Sequence, residues 1–243
     1  MMLSEILSEK GAGILNRNSL KQLNILLMVC AMACLVYYDI RGGLWLKGVT
    51  SSWFVLLGGV NLWAARSLRG RQLWFCLLME AGLFCGMCAD VLLGMIFFVG
   101  VIVFALGHVL YLIAFCILEG FSRKDLPVIL PLALLSIFLA TGTPWITLED
   151  PVMKKLLLGY AVIISAMLGK AVSNLIRRPC RFRKLLVVAC LMFWFSDLIL
   201  AIDMFGQSSR LTWILCSYNY WPAQSLLAHS LFHAGDDSGA SSL

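Results

Sequence analysis

The chain of 243 residues is 61% apolar and 13% charged, with a formal net charge of +6 and a mean hydropathy of +0.90. A water-soluble domain has nowhere to bury that share of apolar surface, so the composition excludes a soluble fold and places function inside a membrane. The basic residues sit in short stretches beside apolar runs, which reads as membrane orientation and not as nucleic-acid binding.

In chain order, Glu5, Glu9, Lys10, Arg17 and Lys21 precede any apolar run, without the basic-then-apolar pattern and small-residue cleavage site of a secretory signal. Residues 1–21 therefore read as a polar tail. A membrane-crossing helix needs about 20 mainly apolar residues. Segments of that kind run over 23–38, 44–65, 73–94, 96–118, 126–141, 155–176, 185–205 and 211–232. The span at 126–141 is the weakest of them, with Pro127 and Pro131 in its first turns and Gly142 and Pro144 closing it early. Residues 234–243 read as a short polar tail. The expectation is an all-α polytopic membrane protein of about eight transmembrane helices, forming one transmembrane domain over 1–243.

Lys and Arg set the orientation. The N-terminal tail and the connections at 66–71, 123–124 and 177–184 hold thirteen of them, against four at Arg41, Lys154, Lys155 and Arg210. The positive-inside rule then puts both termini in the cytoplasm.

An internal echo runs through the chain. Gly82 to Met95 (GLFCGMCADVLLGM) lies over Ala189 to Ile202 (ACLMFWFSDLILAI), matching Asp90 to Asp197. Two four-helix halves of equal topology are the expectation this raises, although common helix length gives the same register. Of nine cysteines, all except Cys180 fall within apolar runs, where a small soft side chain packs well. Cys85 and Cys88 have CxxC spacing, but no second pair completes a four-thiolate metal site.

Ionisable groups within a span cost about 2.5 to 3.5 kcal/mol each on insertion scales, so they face a protein interior or a wet cavity. The shortlist is Lys47, Glu80, Asp90, His108, Tyr111, Asp197, Asp203, Tyr218, Tyr220 and Gln224. Gly82, Gly86, Asp90 and Gly94 recur every four residues, which sets one carboxyl in a groove of small residues. His108 and Tyr111 share a helix face, as do Tyr220 and Gln224, and Lys47 and Thr50. Glu80 lies roughly 280° around the helix from Asp90 and belongs to another contact. The plainer readings are polar glue between helices for Asp90 and Asp197, a solvated helix end for Asp203, and snorkelling for Lys47. His108 reads as a satisfied interior histidine, Tyr218 and Tyr220 as interfacial anchors, and His229 and His233, near the polar tail, as interfacial too. No G-x-S-x-G elbow, H-E-x-x-H, P-loop or dinucleotide glycine pattern occurs, leaving carboxyl chemistry in an apolar chamber.

The stretches Ala89-Asp90-Val91-Leu92-Leu93, Gly107-His108-Val109-Leu110-Tyr111, Phe195-Ser196-Asp197-Leu198-Ile199-Leu200-Ala201 and Tyr220-Trp221-Pro222-Ala223-Gln224 occur in order along the chain. In this pattern, and in Lys47 on the second span, the chain resembles the YhhN-like lysoplasmalogenase family of eight-span membrane proteins. It departs from the family at Ala89, where Gly is usual, and at Thr50, where Pro is common. The resemblance implies cleavage of the vinyl ether bond of a lysoplasmalogen to a fatty aldehyde and a glycerophospho-ethanolamine or -choline. The expected partners are this lysophospholipid substrate and membrane lipid, with no nucleic acid, metal or other cofactor.

Chemistry fits the residues. Protonation of the outer alkene carbon gives an oxocarbenium ion that water captures, which calls for one carboxyl still protonated near neutral pH and a second to stabilise the cation. Burial in an apolar site favours the neutral form of a carboxyl, and glycosidases pair carboxyls for a similar ion. Asp90 and Asp197 are the expected catalytic pair, with Lys47, His108, Tyr111, Tyr220, Gln224 and Asp203 positioning substrate or water. Two alternatives stay open. One is a metal-dependent lipid hydrolase using Asp90, His108, Asp197 and Cys88, and the other is a proton-coupled transporter or channel.

Overall fold

A computed structural model describes residues 17–147 and 149–235. Among the described residues it contains eight α-helices and no strand. They are α1 (Arg17–Arg41), α2 (Leu44–Ala64), α3 (Arg71–Met95), α4 (Phe97–Glu119), α5 (Leu126–Thr141), α6 (Pro151–Arg177), α7 (Arg181–Phe205) and α8 (Arg210–Ser230). Short 3-10 turns follow α2 (Ala65–Ser67) and precede α5 (Arg123–Asp125). Among the described residues seven spans are long and apolar enough to cross a membrane, so the chain is a polytopic membrane protein. The eighth helix, α8, is long enough but less apolar, because it carries Ser217, Gln224, Ser225 and Ser230 into the interior of the bundle.

Local chemistry sets the boundaries. Gly42 and Gly43, at φ of 66° and 98°, turn the chain between α1 and α2 in a conformation that L side chains avoid. Asp150 caps α6 through the Val152 amide, with Pro151 at its first position, so that helix begins earlier than the expected 155. In α5, Pro127 falls in the first turn, where its missing N–H breaks no bond.

Two tail expectations shift. Residues 17–21 belong to α1, because Leu20 and Asn24 are buried against the bundle and Asn24 exchanges hydrogen bonds with Asn61 of α2. Residues 231–235 continue past α8 as 3-10 turns, with Leu231 and Ala234 buried, so the polar tail does not begin at 234. The rest of both expected tails, 1–16 and 236–243, lies outside the described residues.

Helix neighbours define a ring. Going round, α2 packs on α3, α3 on α4, α4 on α6, α6 on α7, α7 on α8, and α8 back on α2. Outside it, α1 leans on α2 and α8, and α5 on α6 and α7. Renaming each helix of the first half by its counterpart four places later reproduces the ring, as a twofold axis along its centre requires. It also sets α3 and α7, which carry Asp90 and Asp197, on facing walls.

The tightest seam is α3 against α4. A methyl group on Gly82 would run into the Tyr111 ring, and one on Gly100 would meet the Leu93 backbone at 2.5 Å. Small residues thus let the two backbones close up, the usual means of helix association where lipid gives no hydrophobic drive. The groove expected along Gly82, Gly86 and Gly94 is filled by three different neighbours, Tyr111, Gln224 and Leu44.

The end of the bundle that bears the basic connections is tied by buried charge. Asp125 accepts from Lys170 at 3.1 Å, Arg177 at 2.5 Å, Ser173 and the Ser122 amide. Lys170, fully buried, also donates to the Gly120 carbonyl. Beside it, the buried Arg183 donates to Glu119 at 2.6 Å. His229 lies 2.8 Å from Asn24 in the Asn24–Asn61 cluster, so its role is packing between helices and not the interfacial one expected.

Candidate active site

The ring encloses a cavity of about 430 Å³ whose wall is mainly apolar and aromatic, and both Asp90 and Asp197 line it. α3 and α7 deliver the two carboxyls from opposite sides, each almost fully buried. Each then takes partners from two further helices, related by the same internal symmetry.

Asp90 is surrounded by donors. Ser51 of α2 donates to Oδ2 at 2.5 Å and Tyr220 of α8 donates to the same oxygen at 2.8 Å. The Lys47 ammonium, also from α2, lies 3.6 Å from Oδ1. Two hydroxyls satisfy the carboxylate with short charge-assisted hydrogen bonds, and the ammonium lies within ion-pair range.

Asp197 has a different environment. Tyr160 of α6 donates to its Oδ2, and Nε2 of His108 on α4 faces the same oxygen at 3.5 Å. The Nδ1 of His108 lies 2.8 Å from the Phe104 carbonyl oxygen. A carbonyl only accepts, so Nδ1 carries the hydrogen, and in the neutral ring Nε2 is left with its lone pair. That nitrogen is buried with no other partner and faces a carboxyl oxygen. Two lone pairs repel unless a proton lies between them, so the pair His108–Asp197 is built to hold one. The imidazole is fixed by the Phe193 ring, edge to face at a centroid separation of 4.6 Å.

The remaining expected residues divide by depth. Tyr220 is on the cavity wall with Asp90, and Asp203 is at its rim, held by Ser208 at 2.9 Å and by Thr212. Tyr111 and Gln224 stand behind the wall. Tyr111 donates to Gln224 Oε1 at 2.8 Å, and Gln224 Nε2 lies 3.3 Å from the Tyr220 hydroxyl, so both reach Asp90 only through Tyr220. Glu80 is turned away from the cavity against Gly58 and Gly59 of α2. Tyr218 is partly exposed near Asp39.

Two partners are not singled out by sequence. Ser51 and not Thr50 joins Lys47 at Asp90, whereas Thr50 turns towards α1 and donates to the Leu46 carbonyl. Ser51 stands four residues after Lys47, a spacing as compatible with one face as the three that favoured Thr50. Tyr160 carries no such signal, because one tyrosine near the end of an apolar run reads as an interfacial anchor. Among the described residues no three His, Cys, Asp or Glu side chains come together to hold a metal ion.

An all-helical membrane bundle whose ring holds two facing carboxyls in an apolar chamber is a polytopic membrane protein built around an internal site. The model of the YhhN family matches residues 51–231, and the chain belongs to that family. The match starts at Ser51 and takes in Asp90, His108, Tyr160, Asp197 and Tyr220, whereas Lys47 falls just before it. No curated protein and no solved structure matches the chain.

Proposed function

We propose that this protein is a hydrolase of the vinyl ether bond of lysoplasmalogens. The observation that supports it is the pair of unlike carboxyl environments on facing walls of one apolar cavity. Asp197, beside His108 and with no cation next to it, is assigned as the proton donor. Asp90, beside Lys47 and two hydroxyls, is assigned as the carboxylate that stabilises the oxocarbenium ion and takes a proton from water.

The sequence of steps balances without a cofactor. The Asp197 proton goes to the outer alkene carbon, and the ether oxygen shares the positive charge. Water adds to the inner carbon and loses its proton to Asp90, which gives a hemiacetal. In the collapse of the hemiacetal its hydroxyl returns a proton to Asp197 and Asp90 gives its proton to the glycerol oxygen as that carbon–oxygen bond breaks, leaving a fatty aldehyde and a glycerophosphodiester, with one water consumed and both carboxyls restored. The apolar wall takes the single alkyl chain. The end packed around Asp125 supports hydrolysis over a transport path, which has to reach both faces.

Asp90→Asn and Asp197→Asn each keep volume and hydrogen bonding but lose the proton chemistry. Each is expected to lower aldehyde release about 100-fold or more in a folded protein, the usual loss for a missing general acid or base. Near-normal release by both variants would overturn the assignment, and loss of activity in chelator would replace it with the metal-dependent reading. Both termini are assigned to the cytoplasm from the thirteen-to-four distribution of Lys and Arg. Labelling of a Ser241→Cys variant only from outside would reverse that assignment.

A further inference from the structure

The cavity occupies one end of the ring. Its lining residues fall near the end of every helix that contributes: Tyr38 at the end of α1, Lys47 at the start of α2, Gly94 at the end of α3, Phe97 at the start of α4, Met153 at the start of α6 and Phe205 at the end of α7. None lies deeper than Trp221 of α8, roughly 17 Å of helix from that end.

Beyond this depth the bundle is solid. Tyr111 and Gln224 form its floor, Leu57, Phe75, Met79, Leu83, Phe115 and Leu227 fill the next layer without measurable exposure or nearly so, and the Asp125 and Glu119 ion clusters close the far end. A charged headgroup and a file of water have no path through that layer, since burying unpaired polar groups costs several kcal/mol each. The closed end carries the basic connections at 66–71, 123–124 and 177–184, and the open end carries those at 42–43, 96 and 142–150.

We infer that the site is one-sided: lipid and water enter, and the water-soluble product leaves, on the face opposite the basic connections, which the charge distribution makes the non-cytoplasmic face. The substrate pool is therefore the single-chain lipid of the non-cytoplasmic leaflet. This rests on the hydrolase reading for the identity of the lipid, whereas the direction of access stands on the cavity and the distribution of basic connections.

The chain carries its own probes. Cys216 lines the cavity, and Cys180 lies in the basic connection between α6 and α7. The full-length protein in sealed vesicles of one orientation would be treated from either side with a charged, membrane-impermeant methanethiosulfonate. Modified cysteines would be located by mass spectrometry, with a Met204→Cys variant supplying a second target at the cavity rim. Reagent on the side away from Cys180 is expected to label Cys216, or the thiol introduced by Met204→Cys, at least tenfold faster than reagent on the Cys180 side. Labelling of both cavity positions from the Cys180 side, or of neither from the opposite side, would overturn the inference.

A second arm supplies lysoplasmenyl-ethanolamine to one side of the same vesicles. Glycerophospho-ethanolamine is expected on the side that labels the cavity, with an initial rate at least tenfold that from the other side. Product formed equally from both sides would overturn one-sided access. No product from either side, with the labelling pattern intact, would overturn the hydrolase reading and leave the direction of access standing.

Discussion

At Asp197 the donor is a phenol and the neighbour an imidazole, whereas at Asp90 the neighbours are an ammonium and two hydroxyls. That contrast predicts unlike responses. Tyr160→Phe keeps the ring stacked on Phe104, with an interplanar angle of 5°, and removes only the hydroxyl. As Asp197 gives up its proton the Tyr160 bond becomes one to an ionised group, which contributes about 1.5 to 3 kcal/mol, so kcat is expected to fall roughly 10- to 100-fold with KM little changed. Lys47→Met is expected to lower kcat by at least as much, and Lys47→Arg to recover part of it, because Arg keeps the charge but not the compact ammonium. Proton transfer to carbon should also slow turnover of the unmodified enzyme in heavy water. Steady-state aldehyde assays check all three. Asp125 provides the contrast of a charge cluster remote from the cavity. Asp125→Ala strands the buried Lys170 and is expected to destabilise the protein by about 3–5 kcal/mol. A lower thermal midpoint in detergent would register that loss.

Helix packing carries the precision these contacts need. The α3–α4 seam sets the position of Asp90 relative to the His108 and Tyr111 face, and it closes only because Gly82, Gly100 and Gly107 lack side chains. Gly107→Leu would place its side chain against the Gly82 carbonyl, which a Cβ alone approaches to 3.2 Å. It is expected to lower both thermal midpoint and activity. Gly159→Ala, with nothing within 4 Å of the added methyl, is expected to leave both unchanged, and thermal unfolding in detergent distinguishes the two. The helices at the cavity mouth are held separately. Asp39 at the end of α1 accepts from Arg210 and Trp213 of α8, both at 2.7 Å.

For the whole molecule, the ring closes through the seams of α4 on α6 and α8 on α2, and α8 also meets α1 and α3 of the other half. Neither half alone encloses the cavity or brings the two aspartates face to face. Cutting the chain in the connection 142–150 and expressing the pieces separately should abolish aldehyde release. Co-expression should restore it if those seams assemble in the membrane. Activity from one half alone would contradict a site shared between walls.

The amino-acid sequence by itself determined the membrane class, the helix count and the shortlist from which the site is drawn. Apolar run length is a local quantity, and an ionisable residue inside such a run is conspicuous whatever surrounds it. It also marked Asp90 and Asp197 as counterparts through the internal echo. Which helices adjoin in the ring was decided by tertiary structure, because neighbours depend on small-residue seams and buried polar pairs between segments far apart in the chain. The same cause hid Tyr160 and Ser51, put Tyr111 and Gln224 behind the cavity wall, and separated the open end from the closed one. Periodicity gives the face a residue occupies on its own helix. What that face meets is a property of the assembled bundle, and the difference between two identical carboxyls lies there.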